Sequence, residues 1–301
     1  MKRLILILLL ICPMLLYARS YLDVSGRIGL GGLLYDCDYG GMSPGYHAAL
    51  DVGYLYKSPF WIAVRAGVSI EAASSTYSRV DYQDRYTTID VENQEMQVLY
   101  NIGRLREQHQ AYKVSFPVQV GFHIDKFTFL VGPRISVPLS ASWKETATDA
   151  SLAVYYPVLD NLVEESFPLA ASKSFEMENK GELNLPKWQC AISSELTYGF
   201  RISSDYSKME SYITVGVYFD MGLVYTGTNP NQNMYGVLQL TDTRDGLPLS
   251  RIMTPVLEAW WENKPLVAGF RSFDVGFKVA YRLTSLPTVR QPRKHGCHCY
   301  E

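Results

Sequence analysis

From Tyr112 to Ile124 apolar and polar side chains alternate without a break. Tyr112, Val114, Phe116, Val118, Val120, Phe122 and Ile124 fall on one face; Lys113, Ser115, Pro117, Gln119, Gly121 and His123 fall on the other. A period of two belongs to a β-strand. The next segment repeats it, with Phe127, Phe129, Val131, Ile135, Val137, Leu139 and Trp143 on one face and Thr128, Gly132, Arg134, Ser136, Ser140 and Ser142 on the other. The same pattern predicts strands over 21–35, 46–56, 61–73, 188–202, 209–225 and 270–283, about eight in all. Their connections alternate between tight turns (near 57–59, 124–126 and 203–208) and longer ones, roughly 10 residues once and 30 to 45 residues three times. That is the layout of an outer-membrane barrel, short turns in the periplasm and long loops outside. The expectation is an all-β, eight-stranded antiparallel up-and-down transmembrane β-barrel with long extracellular loops.

Alternation does not say which face is inside, since a soluble lipocalin-like barrel buries the apolar face and a membrane barrel turns it to lipid. Two features favour lipid. The polar face is rich in glycine (29, 31, 53, 67, 121, 199, 216 and 276), as a narrow interior requires. The apolar face ends in aromatic residues: Tyr54, Tyr56, Phe122, Phe127, Tyr198, Phe200 and Tyr281 near the short turns, and Tyr112, Trp143, Trp188 and Tyr225 near the long loops. Two such belts are expected where amphipathic rings meet headgroups.

The N-terminus adds an address. Lys2 and Arg3 precede the apolar run 4–16, and Ala18 offers a small residue for cleavage, so 1–18 reads as a signal peptide, 19–284 as the barrel and 285–301 as a short periplasmic tail. Cys12 as a lipoprotein cysteine is the competing reading, disfavoured by Ile11 where a small residue is needed. No segment reaches the length of a spanning helix, so a membrane location must come through strands. Charged residues are only 19% of the chain and the formal net charge is −2, which excludes a disordered solvated chain and the basic excess of a nucleic-acid binder.

Alternation projects seven acids inward, Asp23, Asp51, Glu71, Glu195, Glu210, Asp220 and Asp274, and seven bases, Arg27, Arg65, Lys113, Arg134, Arg201, Lys278 and Arg282. A barrel of eight strands holds little beyond its own side chains. Mutual pairing of these charges, filling the lumen, is therefore the leading reading, and a proton or ion path the other. His47 and His123 also point inward, one near the first outer loop and the other beside a short turn, and read as hydrogen-bonded interior histidines. His109 falls in the second long loop with no motif partner. Neither a nucleophile elbow nor a zinc-protease helix motif occurs. An enzyme is not expected, and no cofactor or metal is implied. Cys37 and Cys190 could be neighbours at the outer rim, and the tail 295–299 carries Cys297 and Cys299 beside His295 and His298, for which a disordered end or an intermolecular disulfide is favoured over a metal site.

The segments 114–122 (VSFPVQVGF), 129–134 (FLVGPR) and 273–283 (FDVGFKVAYRL) resemble the Bacteroidota outer-membrane β-barrel domain proteins, the PorT-like family. The resemblance implies that the first two form the central hairpin. It also implies that the last strand is read by the barrel-assembly machinery through Asp274, Gly276, Val279 and Tyr281. These motifs are architectural and identify no activity. The long loops are where a specific role would reside. Segment 151–163 is too apolar for a bare solvated loop, and 253–261 holds adjacent Trp260 and Trp261; they pack together as an extension of the sheet, or form a lid or partner surface. The expected function is that of a non-enzymatic outer-membrane scaffold or binding protein acting through its loops. Its partners would be outer-membrane lipid, the assembly machinery and a secretion-apparatus or surface protein. An accessory role in protein secretion and a narrow small-solute transporter are the alternatives.

Overall fold

The structure is a computed structural model that describes residues 19–36, 40–89, 92–159, 161–163, 175–202, 210–223, 238–241, 249–252, 255–261, 264–265 and 267–284. The strands are β1 (Arg19–Asp36), β2 (Gly41–Lys57), β3 (Ile62–Ile89), β4 (Glu95–Ile124), β5 (Phe127–Tyr156), β6 (Asn161–Val163), β7 (Phe175–Glu182), β8 (Gln189–Arg201), β9 (Ser211–Gly222), β10 (Leu238–Thr241), β11 (Leu249–Ile252), β12 (Trp260–Trp261), β13 (Lys264–Pro265) and β14 (Gly269–Thr284). Strands β4, β3, β2, β1, β14, β9, β8 and β5 pair in that order, all antiparallel, and β5 pairs back onto β4. The ring closes with eight strands and no open edge within the barrel. Each of the eight predicted strands lies in this ring. The proposed signal peptide, the turn at 203–208 and the tail with Cys297 and Cys299 lie outside the described residues, as does Cys37.

The outer surface below the long loops is apolar: Leu50 is 73% and Phe277 69% exposed, and Ile28, Val52, Ile70, Val118, Val120, Ile135, Val215 and Val279 are exposed beside them. On β4 this face runs from Tyr112 to Ile124, about 40 Å of strand and about 30 Å in height at the usual tilt. Above Tyr112 the outward residues turn polar, with Gln110, Gln108, Arg106 and Arg104 on β4 and Ser142 and Lys144 on β5. A band of that height, apolar outside and charged inside, is the cross-section of a transmembrane barrel. The membrane-facing part of β5 ends near Leu139.

Close strand approach at the wall depends on glycine where Gly29 and Gly276 face each other. A Cβ on Gly29 would stand 2.1 Å from the Val275 carbonyl oxygen, and one on Gly276 2.3 Å from that of Ile28.

β1, β2 and β14 run a few residues past their predicted bounds, and three other strands run much further. β3, β4 and β5 run to 28, 30 and 30 residues, so the second connection, expected as a loop over 74–111, is a continuation of the β3–β4 hairpin, and β5 reaches Tyr156. β6 and β7 fold back along β5. Trp143, expected in the outer aromatic belt, is buried. Tyr112 pairs with Ser140 but Lys113 with Pro138, leaving Leu139 as a one-residue bulge. Below it the inward residues of β5 are Thr128, Leu130, Arg134 and Ser136; above it they are Trp143, Glu145 and Ala147. With a side-chain period of two, one extra residue exchanges the faces.

A second exchange occurs higher up. Asp81 (φ 53°) and Asp149 (φ 55°) sit left-handed on either side of Gly103, whose added Cβ would meet that of Asp149 at 2.8 Å. Aspartate is one of the few side chains that tolerates this backbone. Above that row Tyr82, Ile102, Ala150 and Val154 turn inward and join Tyr77, Met96, Leu105, Trp143, Ala147, Leu183, Val256, Leu257, Ala259, Val267 and Phe270 in one buried cluster. The long-loop end is therefore a folded cap with its own hydrophobic core.

Candidate functional site

Two layers of charge fill the barrel. Nearer the short turns, Asp23 accepts from Arg282 (2.6 Å) and lies 3.5 Å from Arg65 and 3.8 Å from Lys278. Glu195 accepts from Lys278 at 2.7 Å and from Arg65 at 3.3 Å, and Arg65 also reaches Gln119. In the upper layer Arg27 meets three carboxylates, Asp220 at 2.8 Å and Asp51 and Glu71 at 3.0 Å each. Arg134 lies against Glu71 and Ser69, and Lys113 is 3.2 Å from Glu71 and 3.8 Å from Asp274. All twelve of these charged residues are buried, six acids and six bases. Breaking such a pair costs roughly 3–5 kcal/mol because one charge is left without a partner.

The other two residues of the predicted set sit elsewhere. Glu210 caps the short-turn rim, accepting from Tyr212 (2.8 Å) and Arg201 (2.9 Å) and lying 3.4 Å from Arg19, and Arg201 is exposed there instead of projecting into the lumen. His47 is buried, its Nδ1 2.7 Å from the Tyr218 hydroxyl, and His123 Nε2 lies 2.8 Å from the Ser58 carbonyl. On β14, Asp274 and Gly276 face inward while Val279 and Tyr281 face outward.

Above the lumen lies a cavity of about 50 Å³, lined by Ser74, Ser75, His109, Lys113, Phe270 and Asp274 among others. It is large enough for a few waters and no more. The cap begins at its roof. His109, read from sequence as a partnerless loop residue, stands buried on β4, bonded through Nε2 to Glu107 and through Nδ1 to the Tyr35 hydroxyl at 2.9 Å. The second oxygen of Glu107 accepts from the Val256 backbone N–H at 2.7 Å. This tie pins the segment 255–259 over the barrel mouth. Directly across from Glu107 on β5 is Glu145, fully buried, with neither carboxylate oxygen hydrogen-bonded. Burial and then repulsion from Glu107 hold its carboxyl well above the ordinary value of 4.5. Hydropathy alternation reads this segment as a loop, which hides the array; the spacing of Glu107 and His109, two apart on one face of a strand, is the signal the sequence offers.

Paired charges below and a hydrophobic cap above define a closed, plugged transmembrane β-barrel of the outer-membrane kind. No protein-family model matches the chain, and no curated protein matches it. Among solved structures the chain is similar to Ail, the attachment invasion locus protein of Yersinia pestis, crystallised with the heparin analogue sucrose octasulfate. That match is 7% identical, covers 88% of this chain and 98% of the other, and has a TM-score of 0.24.

Proposed function

We propose that this protein is a non-enzymatic outer-membrane anchor that holds a rigid binding head outside the cell. The observation that carries this reading is the cap. Strands β3, β4 and β5 continue well past the apolar band as an ordered sheet with its own core, and the far end of that sheet leaves Ile89, Val158 and Leu159 exposed at 61, 78 and 60%. Apolar side chains held at the tip of a stiff platform, with nothing of the described chain covering them, favour docking of a protein surface. The short-turn end then faces the periplasm, the apolar band meets outer-membrane lipid, and Asp274, Gly276, Val279 and Tyr281 serve the assembly machinery. An accessory role in a secretion apparatus, as in the PorT-like family, is compatible with the same head and rests on the sequence resemblance alone.

The location is tested by heat-modifiability of the protein in isolated outer membranes. A band that migrates fast unheated and slower after boiling is expected; recovery in the soluble fraction would overturn the reading. The head is tested by cross-linking on intact cells, where Val158→Asp with Leu159→Asp is expected to abolish capture of a partner while leaving heat-modifiability intact. The ion-paired lumen predicts that the reconstituted protein gives no discrete conductance steps in a planar bilayer. Steps that change size in Arg134→Ala or Glu195→Ala would replace the anchor with a transporter.

A further inference from the structure

The short-turn end holds a feature that neither anchoring nor the cap requires. A cavity of about 490 Å³ opens between the strand ends there, and among its lining residues are Arg19, Lys57, Lys126, Arg201 and Arg282, with one carboxylate, Asp125. Neighbouring acids offset some of this charge. Glu210 takes Arg19 and Arg201, and Asp23 takes Arg282. Lys57 is different: it is half-buried at the end of β2, its ammonium donates to Thr128 Oγ1 at 2.9 Å and lies 5.7 Å from the centre of the Tyr21 ring, and no described carboxylate pairs with it. Lys126 likewise faces the Tyr198 ring at 5.9 Å and has no described acid partner. An ammonium keeps two further donors after one hydrogen bond. A concave, cation-lined pocket with low-dielectric walls concentrates field lines and draws in counter-ions.

We propose that this mouth is a binding site for a small oxyanion, a phosphate or carboxylate group, with Lys57 as its central ligand and Tyr21 and Tyr212 as its apolar wall. The two rings meet edge to face at 6.0 Å and form a wall against which the body of a larger anion can lie. Arg282 links the site to the lumen, since the guanidinium that lines the pocket also grips Asp23 through Nε. A phosphate in the pocket can come from a free solute or from a lipid headgroup at the rim, and the chemistry that recognises it is the same. The site depends neither on the cap nor on its proposed partner.

The test uses the full chain in nanodiscs of zwitterionic phosphatidylcholine and, separately, of phosphatidylglycerol, titrated calorimetrically with inorganic pyrophosphate and with citrate. Saturable binding of at least one probe in phosphatidylcholine discs is expected, weakening with salt and by about tenfold in Lys57→Met, the loss of one charge-assisted hydrogen bond. Lys144→Met, on the cap, is expected to bind as the unaltered protein does. Binding that persists in phosphatidylglycerol discs assigns the site to a soluble anion, and binding lost there assigns it to the headgroup. No saturable binding in phosphatidylcholine discs, or equal binding by Lys57→Met with heat-modifiability retained, would overturn the proposal.

Discussion

Arg27→Met is expected to cost the barrel about 3–5 kcal/mol, read as a lower midpoint in urea unfolding from phospholipid vesicles. Arg27 is buried at the level where Asp51, Glu71 and Asp220 converge, each within 3.0 Å of its guanidinium. Removing that one cation leaves Arg134 and Lys113 to serve those three acids and Asp274. Lysine at the same position keeps the charge but replaces a planar fork by a single ammonium, so Arg27→Lys should fall between the two. Combining Arg27→Met with Asp220→Asn should lose less than the two single losses added, because each removes a partner of the other, with a coupling of about 0.5–3 kcal/mol. If Arg27→Met stays within about 0.5 kcal/mol of the unaltered protein, a level expected of surface positions, the lumen is wet and its charges are solvated, and the plugged-barrel description fails.

The lumen was legible in the sequence because a strand's period of two survives wherever one face must be apolar and the other polar, and lipid enforces that from Tyr112 down to Ile124. Beyond the membrane the enforcement weakens. Over 74–89 and 95–111 the strands meet water on one side and a small hydrophobic core on the other, so polar residues such as Gln108, Gln110 and Arg106 occupy a strand that alternation by hydropathy reads as a loop. The bulge at Leu139 has one compositional mark, Pro138 beside it, since a proline within a strand points to an edge or a bulge. It lies inside the run Val137, Pro138, Leu139, Ser140, and the pairing of Lys113 with Pro138 beside that of Tyr112 with Ser140 places it. One residue therefore separates Trp143 in a lipid belt from Trp143 in the cap core, where its indole N–H donates to the Glu182 carbonyl at 3.1 Å. The rim followed from the same cause: Arg201 satisfies the inward alternation, yet β8 ends there, and the side chain turns out to Glu210.

The cap should lose stability as pH rises, and Glu145 is the reason. Its carboxyl stands across from Glu107 on the neighbouring strand, outside the membrane and without a hydrogen bond, so the folded cap retains the proton to a pH well above 4.5. Below that value the unfolded segment is protonated too, and folding shifts no proton. Above it the unfolded segment binds one proton fewer than the folded cap, so stability falls with rising pH by up to about 1.4 kcal/mol per pH unit until the folded carboxyl ionises, after which the slope vanishes. Local opening of the cap, followed by amide exchange at Leu105, Ala147 and Val256 and corrected for intrinsic rates, is therefore expected to become easier between pH 5 and 7. The barrel amides near Val120 and Val215 should keep their protection. Glu145→Gln preserves the shape, cannot ionise and should flatten the dependence; Glu145→Leu should also stabilise the cap by about 1–3 kcal/mol, because it removes a buried polar group that has no partner. A slope unchanged in Glu145→Gln would overturn this assignment. Because Glu107 also holds the Val256 N–H, loss of the Glu145 proton sets two negative charges against the tie that keeps the segment 255–259 over the barrel mouth.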